Sequence, residues 1–320
     1  MGQIKEKFKF MPVETLQYCV RRMVNGIKFK HDVVRLTKAN YISFQLYRNA
    51  LIHKLKKKYK KQIIEWKEQI EKDYASLPHE HPKQVWVCWF QGMEDAPKIV
   101  KACFNSIKKH LGSSAEITLI TKDNYSEYVE FPDYINKKIK DNKLSLQFLS
   151  DLIRLELLTK RGGAWIDATV FCSGDDICDN FWNDDLFIVS SSYLEGLMYA
   201  TTVESYIISS CQNEKMLSLL KMLMFDFVKN YTAGIDYLII YDLFELVIET
   251  FKEDWLKVYP YMRANTLTLH GIWRLPFDKD NYLNITRNNP FHKLSFRYDV
   301  PADGDDKGSY YDYIVTTYGD

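Results

Sequence analysis

Between Ser150 and Val170 the chain reads SDLIRLELLTKRGGAWIDATV. Several side chains in this stretch are of types that do chemistry. Asp151 and Arg154 lie three residues apart, which on a helix puts them on a shared face. A carboxylate accepts from two hydroxyls at once and a guanidinium offers a rigid fork of donors, so the pair suits a polyhydroxylated ligand. Asp167 follows a double glycine. Period-two alternation on a strand would place it on one face with Trp165, Thr169 and Phe171. Asp167 and Thr169 would then converge on one small object. The plainer reading is an i,i+3 surface ion pair followed by a polar residue at a strand end, and spacing alone does not choose between the two.

The elements that must position these residues follow from pattern. A helix is expected from about Leu146 to Lys160, with Leu149, Leu152, Ile153 and Leu157 as its core stripe. Lys160 and Arg161 suit its C-terminus, and Gly162 suits a left-handed stop. Upstream, VWVCWF (Val85–Phe90) predicts a first strand. Pro97 opens a helix through His110, Gly112–Ser114 close it, EITLIT (Glu116–Thr121) predicts a second strand, and Asp123 a helix cap. On that helix Lys98, Lys101, Lys108 and Lys109 need be no more than a solvated face. Downstream, Asp185–Ser191 predicts a strand and Cys211–Asn230 and Ile235–Phe251 predict helices. Beyond Tyr259, loops with short strands are expected. The alternation predicts an α/β fold: a Rossmann-type sheet, largely parallel, with helices on both faces.

Before this body lies a different texture. Through Lys72 there are 18 Lys and Arg against 6 Asp and Glu, a net +12, and the remainder of the chain carries −11, although the whole is only +1. A helix is expected from about Ile42 to Tyr74, with Leu51, Leu55, Tyr59, Ile63, Trp66 and Ile70 on a buried face. LPHEHP (Leu77–Pro82) reads as a linker. The expected organisation is a basic helical region over 1–80 and an α/β domain over 81–320.

Composition narrows the class. The 320 residues are 46% hydrophobic and 15% aromatic, as in ordinary globular chains. The six cysteines are scattered without a C-x-x-C pair, so neither a disulfide framework nor a zinc site is expected. The charged start MGQIKEKFKF argues against a signal peptide. Gly2 lacks the Ser or Thr at position 6 that a myristoylation signal needs, since Glu6 stands there. No apolar run of ~18 residues predicts a membrane span.

The pattern S-D-x-x-R-x-x-x-L-x-x-x-G-G-x-W-x-D-x-T resembles the nucleotide-sugar-binding core of GT-A-fold glycosyltransferases. More closely it resembles the capsular-polysaccharide-synthesis branch of glycosyltransferase family 32, relatives of the large clostridial glucosylating toxins. The likeness covers about Val85 to Val189. It implies a GT-A-like mixed sheet and a retaining transferase moving a hexose from a UDP-sugar to a polyprenyl-diphosphate-linked saccharide. Trp89, at the end of VWVCWFQG, matches a tryptophan that stacks on uracil, while Trp86 reads as a core aromatic. Gln91 and Gly92 follow where the backbone approaches the nucleotide. Asp151 and Arg154 match the pair that binds donor hydroxyls.

Asp167 matches the first acid of a D-x-D motif that meets the donor and holds a divalent Mn²⁺ or Mg²⁺ against the diphosphate. The second position is Thr169, a poorer ligand than a carboxylate and one that could act through a water. Asp175, Asp176 and Asp179 could compensate or be a solvated loop. In NPFHKLSFR the resemblance implies His292 as a metal ligand and Lys293 on the diphosphate, with His270 as the rival histidine. Asp236, in GIDYLIIYDLFE with Asp242, either favours a helix N-terminus or faces the acceptor as the catalytic candidate, and no nucleophile is assigned. Such an enzyme is expected in the cytoplasm, peripheral on the inner face of a bacterial membrane. Lys54, Lys56, Lys57, Lys58, Lys60 and Lys61 would face anionic lipid there, or form a solvated helix face. Two alternatives stand beside this reading. One is a toxin-like transferase with a protein acceptor. The other is a nucleic-acid-binding regulator using the basic arm with Tyr59 and Trp66, although no nucleic acid is expected.

Overall fold

The computed structural model describes residues 33–191, 202–230, 238–297 and 306–319, with side chains from residue 46 onward. The first described element is a long helix, α1 (Val33–Ser76), followed by β1 (Gln84–Cys88), α2 (Lys98–Leu111), β2 (Glu116–Ile120), α3 (Tyr125–Tyr128), α4 (Asp133–Lys140), α5 (Leu146–Arg161), β3 (Gly163–Ile166) and β4 (Val170–Cys172). Next come α6 (Asn180–Asn183), β5 (Leu186–Ser190), β6 (Val203–Ser210), α7 (Lys215–Asn230), α8 (Ile239–Thr250) and α9 (Lys252–Trp255). The last described elements are β7 (Tyr261–Met262), α10 (Arg263–Ile272), α11 (Lys279–Thr286), β8 (Phe291–Lys293) and α12 (Tyr310–Tyr318).

Six strands form one sheet in the order β2-β1-β3-β6-β5-β7, and β4 pairs with β8 in a separate ribbon. Strand β1 runs parallel to β2 and β3, whereas β6 is antiparallel to both β3 and β5. The sheet is therefore mixed, as the α/β expectation allowed, but less parallel than the early alternation suggested. The strand that changes it is VESYIISS, whose polar residues Glu204, Ser205, Ser209 and Ser210 interrupt the apolar pattern of a strand.

Alternation along the strands builds two cores. Trp86, Trp165, Ile188 and Ile208 face a layer that includes α1, α5, α7 and α8. Val85, Val87, Ala164, Ile166 and Phe187 face the other way, toward α2, α12 and the β4–β8 ribbon. Both faces of the sheet are thus covered along β1, β3 and β5, which is why these strands read as nearly continuous apolar runs.

Helix α1 extends past both expected ends. Tyr47, Leu51, Leu55 and Tyr59 recur at every fourth residue and are buried in the same cluster as Leu152 of α5 and Leu243 of α8. The linker after it is fastened to the body: the His81 imidazole meets Ser209 Oγ at 2.8 Å, and Asn213 Nδ2 donates to Pro78 O at 2.9 Å. The segment after Tyr259, expected as loops and short strands, does hold the short strands β7 and β8, and its described residues add the helices α10, α11 and α12. Their caps were readable, since Asp278 accepts from Asn281 N and Ser309 from Asp312 N. Asp123, expected as a cap, lies one residue before Asn124, which takes the cap position of α3.

Helix α5 and the double glycine behave as their residues dictate. Ser145 caps the helix by accepting from Phe148 N at 3.2 Å. Gly162 ends it at φ +68°, its N–H returning to Leu158 O. Gly163 sits at φ +91°, where a Cβ would come 2.5 Å from the Gln84 carbonyl oxygen. Only glycine lets β3 close onto β1 at this point.

Candidate functional site

In a sheet ordered β2-β1-β3 the chain leaves β1 toward one side and returns on the other, so a crevice opens at the carboxyl ends of β1 and β3. Trp89 lies just past the end of β1 and Asp167 just past the end of β3. Both line a cleft of about 660 Å³, together with Gln91, Arg154, Thr169 and Lys293.

The strand expected through WIDATV is broken at this crevice. β3 stops at Ile166, and Val170 N donates to Asp167 O at 2.8 Å, closing a tight turn. The chain then restarts as β4 in the small ribbon. Asp167 and Thr169 therefore meet because they flank a turn rather than because they share a strand face.

Asp167 is held on both oxygens. Its Oδ1 accepts from Arg154 Nη2 at 3.1 Å and from Trp165 Nε1 at 2.9 Å, and its Oδ2 accepts from Lys293 Nζ at 3.0 Å. Burial alone would raise this carboxyl's pKa. Lys293 and then Arg154, with the Trp165 and Lys293 hydrogen bonds, outweigh burial and hold it below the usual carboxylate range. Lys293 Nζ also donates to Thr169 Oγ1 at 2.5 Å.

Arg154 is buried, with its guanidinium 4.8 Å from the centre of the Trp165 ring and its Nη1 3.0 Å from Asp151 Oδ1. Asp151, expected to bind ligand hydroxyls directly, sits behind Arg154 and is not among the residues lining the cleft. Burial pushes its pKa up to about 6, with Arg154 opposing and Asp167 adding to the rise. Its role in this geometry is to hold the guanidinium.

The two tryptophans of VWVCWF part company. Trp86 is 4% exposed, donates from Nε1 to Gly162 O at 3.0 Å and packs edge-on to Tyr128. Trp89 lines the cleft, edge-on to Phe296 at 5.2 Å, and its buried Nε1 has no hydrogen-bond partner. Gln91 is exposed at the rim, and Gly92 closes the turn after it at φ +77°, donating to Trp89 O.

His292 does not reach the cleft. Successive residues of β8 point to opposite faces, so Lys293 and His292 cannot both serve one site. Lys293 takes the cleft, while His292 is fully buried opposite Phe171 and meets Ser173 Oγ at 2.9 Å. Burial pushes its pKa down to about 3. The histidine that does line the cleft is His270 of α10, whose pKa is lowered by burial and by nearby Lys293. Asp175 is not among the residues lining the cleft, and it is 79% exposed and paired with His110. Asp236 lies outside the described residues. Asp242 of α8 is buried against Arg48 of α1.

Sequence reasoning passed over Gln147, Ser150, Phe296 and Arg297, which also line the cleft. Arg297 carried a signal, because it stands four residues after Lys293 in the same short basic run. Nothing marked Phe296 except its aromatic character.

A divalent ion was the implied cofactor. Hard cations of this kind take several oxygen ligands, commonly carboxylates. Asp167 is the lone carboxylate among the described lining residues. Both its oxygens are taken by nitrogen donors, and Thr169 Oγ1 is taken by the Lys293 ammonium. Among the described residues no group of three or more His, Cys, Asp or Glu could hold a metal ion. The donor set does not fit a divalent ion.

Over 123 residues the chain is 33% identical to the O-glycosyltransferase braB of Annulohypoxylon truncatum, a match covering 34% of this chain and 28% of that relative. The chain thus spans less than a third of the length of this curated relative. In structure it is similar to the PaToxG Glycosyltransferase, with 14% identity and a TM-score of 0.39 over 73% of this chain and 95% of that chain. A likeness of that size says nothing about chemistry. Residues 30–314 match the family described as capsular polysaccharide synthesis protein, and the chain belongs to that family.

Proposed function

We propose that the protein is a retaining glycosyltransferase that moves a hexose from a UDP-sugar to a lipid-linked saccharide during capsular or surface polysaccharide synthesis. The observation that carries this reading is the meeting of Trp89, Arg154, Asp167 and Lys293 in one cleft at the β1–β3 switch point. The cleft volume lies within the ~300–1,000 Å³ usual for small-ligand sites.

Each group has a matching part of the donor. The Trp89 indole offers a face for the base, and its idle Nε1–H is a donor waiting for an acceptor. Arg154 and Asp167 suit the ribose and hexose hydroxyls, with Asp151 keeping the guanidinium in place. Lys293 suits the diphosphate. Retention by double displacement needs two carboxylates ~5 Å apart. A single carboxylate lines the described cleft, already engaged on both oxygens, which favours transfer on one face of the sugar without a protein nucleophile.

The lipid-linked acceptor accords with the basic face of α1, where Lys54, Lys57, Lys60 and Lys61 are exposed. No described helix is long and apolar enough to cross a membrane.

A panel of UDP-sugars assayed for hydrolysis and transfer tests the reading. One UDP-hexose should turn over, and Asp167→Asn should lower the rate by at least ~100-fold, the scale for loss of one electrostatic stabiliser. Circular dichroism should show the variant folded. Full activity in a folded Asp167→Asn protein, or no turnover of any UDP-sugar, would sink the proposal.

A further inference from the structure

We infer that this protein manages the diphosphate of its donor without a metal, with the Lys293 ammonium seated where a divalent ion would otherwise bridge Asp167 and the phosphates. The inference rests on the donor reading above and adds to it the identity of the cation.

Three observations converge on it. First, the position that could have supplied a second carboxylate is Thr169, and its hydroxyl accepts from Lys293 at 2.5 Å. Lys293 also lies 3.0 Å from Asp167 Oδ2, so its nitrogen sits between the two side chains of the D-x-T turn. Second, the other oxygen of Asp167 is already covered by Arg154 and Trp165. A doubly charged ion arriving at Asp167 would meet one carboxylate and two fixed cations, so repulsion would oppose it. Third, the lysine is not a loose surface chain. It rises from β8, locked to β4 through the register Val170↔Lys293, and Leu294 N donates to Thr169 O at 2.8 Å. The strand pairing that delivers the lysine begins beside the same Thr169 whose hydroxyl accepts from it.

The chemistry closes with these groups. The bond between the anomeric carbon and the β-phosphate oxygen breaks, and its electron pair stays on that oxygen. The acceptor hydroxyl oxygen forms the new bond to the anomeric carbon and passes its proton to the departing phosphate. Lys293 meets the charge that grows on the phosphate, with Arg297 at the same cleft as a second cation. A fixed ammonium in a partly dry cleft stabilises such charge without reorganising.

The inference is tested by calorimetry with UDP, alongside donor hydrolysis, in EDTA and in millimolar Mn²⁺ or Mg²⁺. The wild type should bind UDP with equal affinity, within about twofold, in all three conditions. Lys293→Ala should weaken UDP binding at least tenfold in EDTA, with Lys293→Arg losing less. The double variant Thr169→Asp/Lys293→Ala should regain affinity only when Mn²⁺ is present. A tenfold loss of wild-type UDP affinity in EDTA overturns the inference and leaves the donor reading intact. Metal-free binding that is unchanged in Lys293→Ala overturns the role of the lysine. Absence of UDP binding in every condition overturns the donor reading itself, and the inference with it. The wild-type arms need no variant to fold.

Discussion

Arg48 Nη2 lies 2.7 Å from Asp242 Oδ1, with both side chains almost fully buried. The pair joins the basic N-terminal helix to α8 in the middle of an apolar layer. The helix therefore contributes to the core of the body rather than riding beside it. Taking one member of a buried pair away leaves the other charge without its counterion, at a cost of ~3–5 kcal/mol. Arg48→Met should lower the unfolding free energy by that amount in urea titrations. The double replacement Arg48→Met/Asp242→Leu should recover most of it. A single variant as stable as wild type would show that the pair is incidental.

Trp89 and Trp86 should separate binding from stability. Trp89→Ala removes a face at the cleft and should weaken UDP binding by ~1–3 kcal/mol. Trp86→Ala opens a cavity between β1 and α3 and should cost ~3–5 kcal/mol of stability. Calorimetry and thermal melts on both variants decide the matter. Equal losses of UDP affinity in the two would refute the distinction.

The lysines of α1 divide into two groups. Lys56 pairs with Glu249, and Lys58 lies 3.3 Å from Asp226. Lys54, Lys57, Lys60 and Lys61 face solvent. Each exposed cation near an anionic bilayer is worth ~1 kcal/mol, and the attraction fades over about 8 Å at physiological salt. Changing the exposed four to Gln should abolish co-sedimentation with anionic vesicles. Changing Lys56 and Lys58 alone should leave most of it. Wild-type protein that shows no preference for anionic over neutral vesicles at low salt would reduce these lysines to a solvated surface.

Glu214 gives a pH dependence of known sign. It is 3% exposed and accepts from Met216 N and Leu217 N at the start of α7. Burial pushes its pKa up to about 7, with those two backbone hydrogen bonds opposing. A carboxyl whose pKa rises on folding holds its proton better in the native state. Its contribution is full below the unfolded value of about 4.5 and is lost as pH climbs to about 7, by at most ~3 kcal/mol. Glu214→Gln stays neutral throughout. The melting temperature of this variant, compared with wild type, should improve between pH 5 and 7.5. A constant difference across that range contradicts the assignment.

The local half of the site was legible because it rests on neighbours in sequence. Asp151 and Arg154 sit on one helix, and Gly162 and Gly163 have backbone angles that only glycine tolerates cheaply. The alternation of VWVCWF separated Trp86 from Trp89. The other half was hidden because it depends on distant pairing. Nothing in NPFHKLSFR states that its strand lies against Val170 in a register that aims Lys293 at Asp167 and turns His292 inward. Strand parity allowed one of the two residues, and only the partner strand chose between them. The turn after Asp167 escaped notice for a related reason. In WIDATV the residues Trp165, Ile166, Thr169 and Val170 favour a strand, and the reading as one strand passed over Asp167 and Ala168, which do not and at which the chain turns from one sheet into the other.

Lys293 comes 126 residues after its partner Asp167. A ribosome that has released only the six strands through β6 has made the carboxylate, the guanidinium and the aromatic wall, but not the ammonium. The nascent polypeptide therefore carries an unfinished cleft, and charge balance around Asp167 arrives only when β8 docks beside β4. A copy that stops short of β8 therefore holds Asp167 and Arg154 without the lysine that completes the charge balance between them.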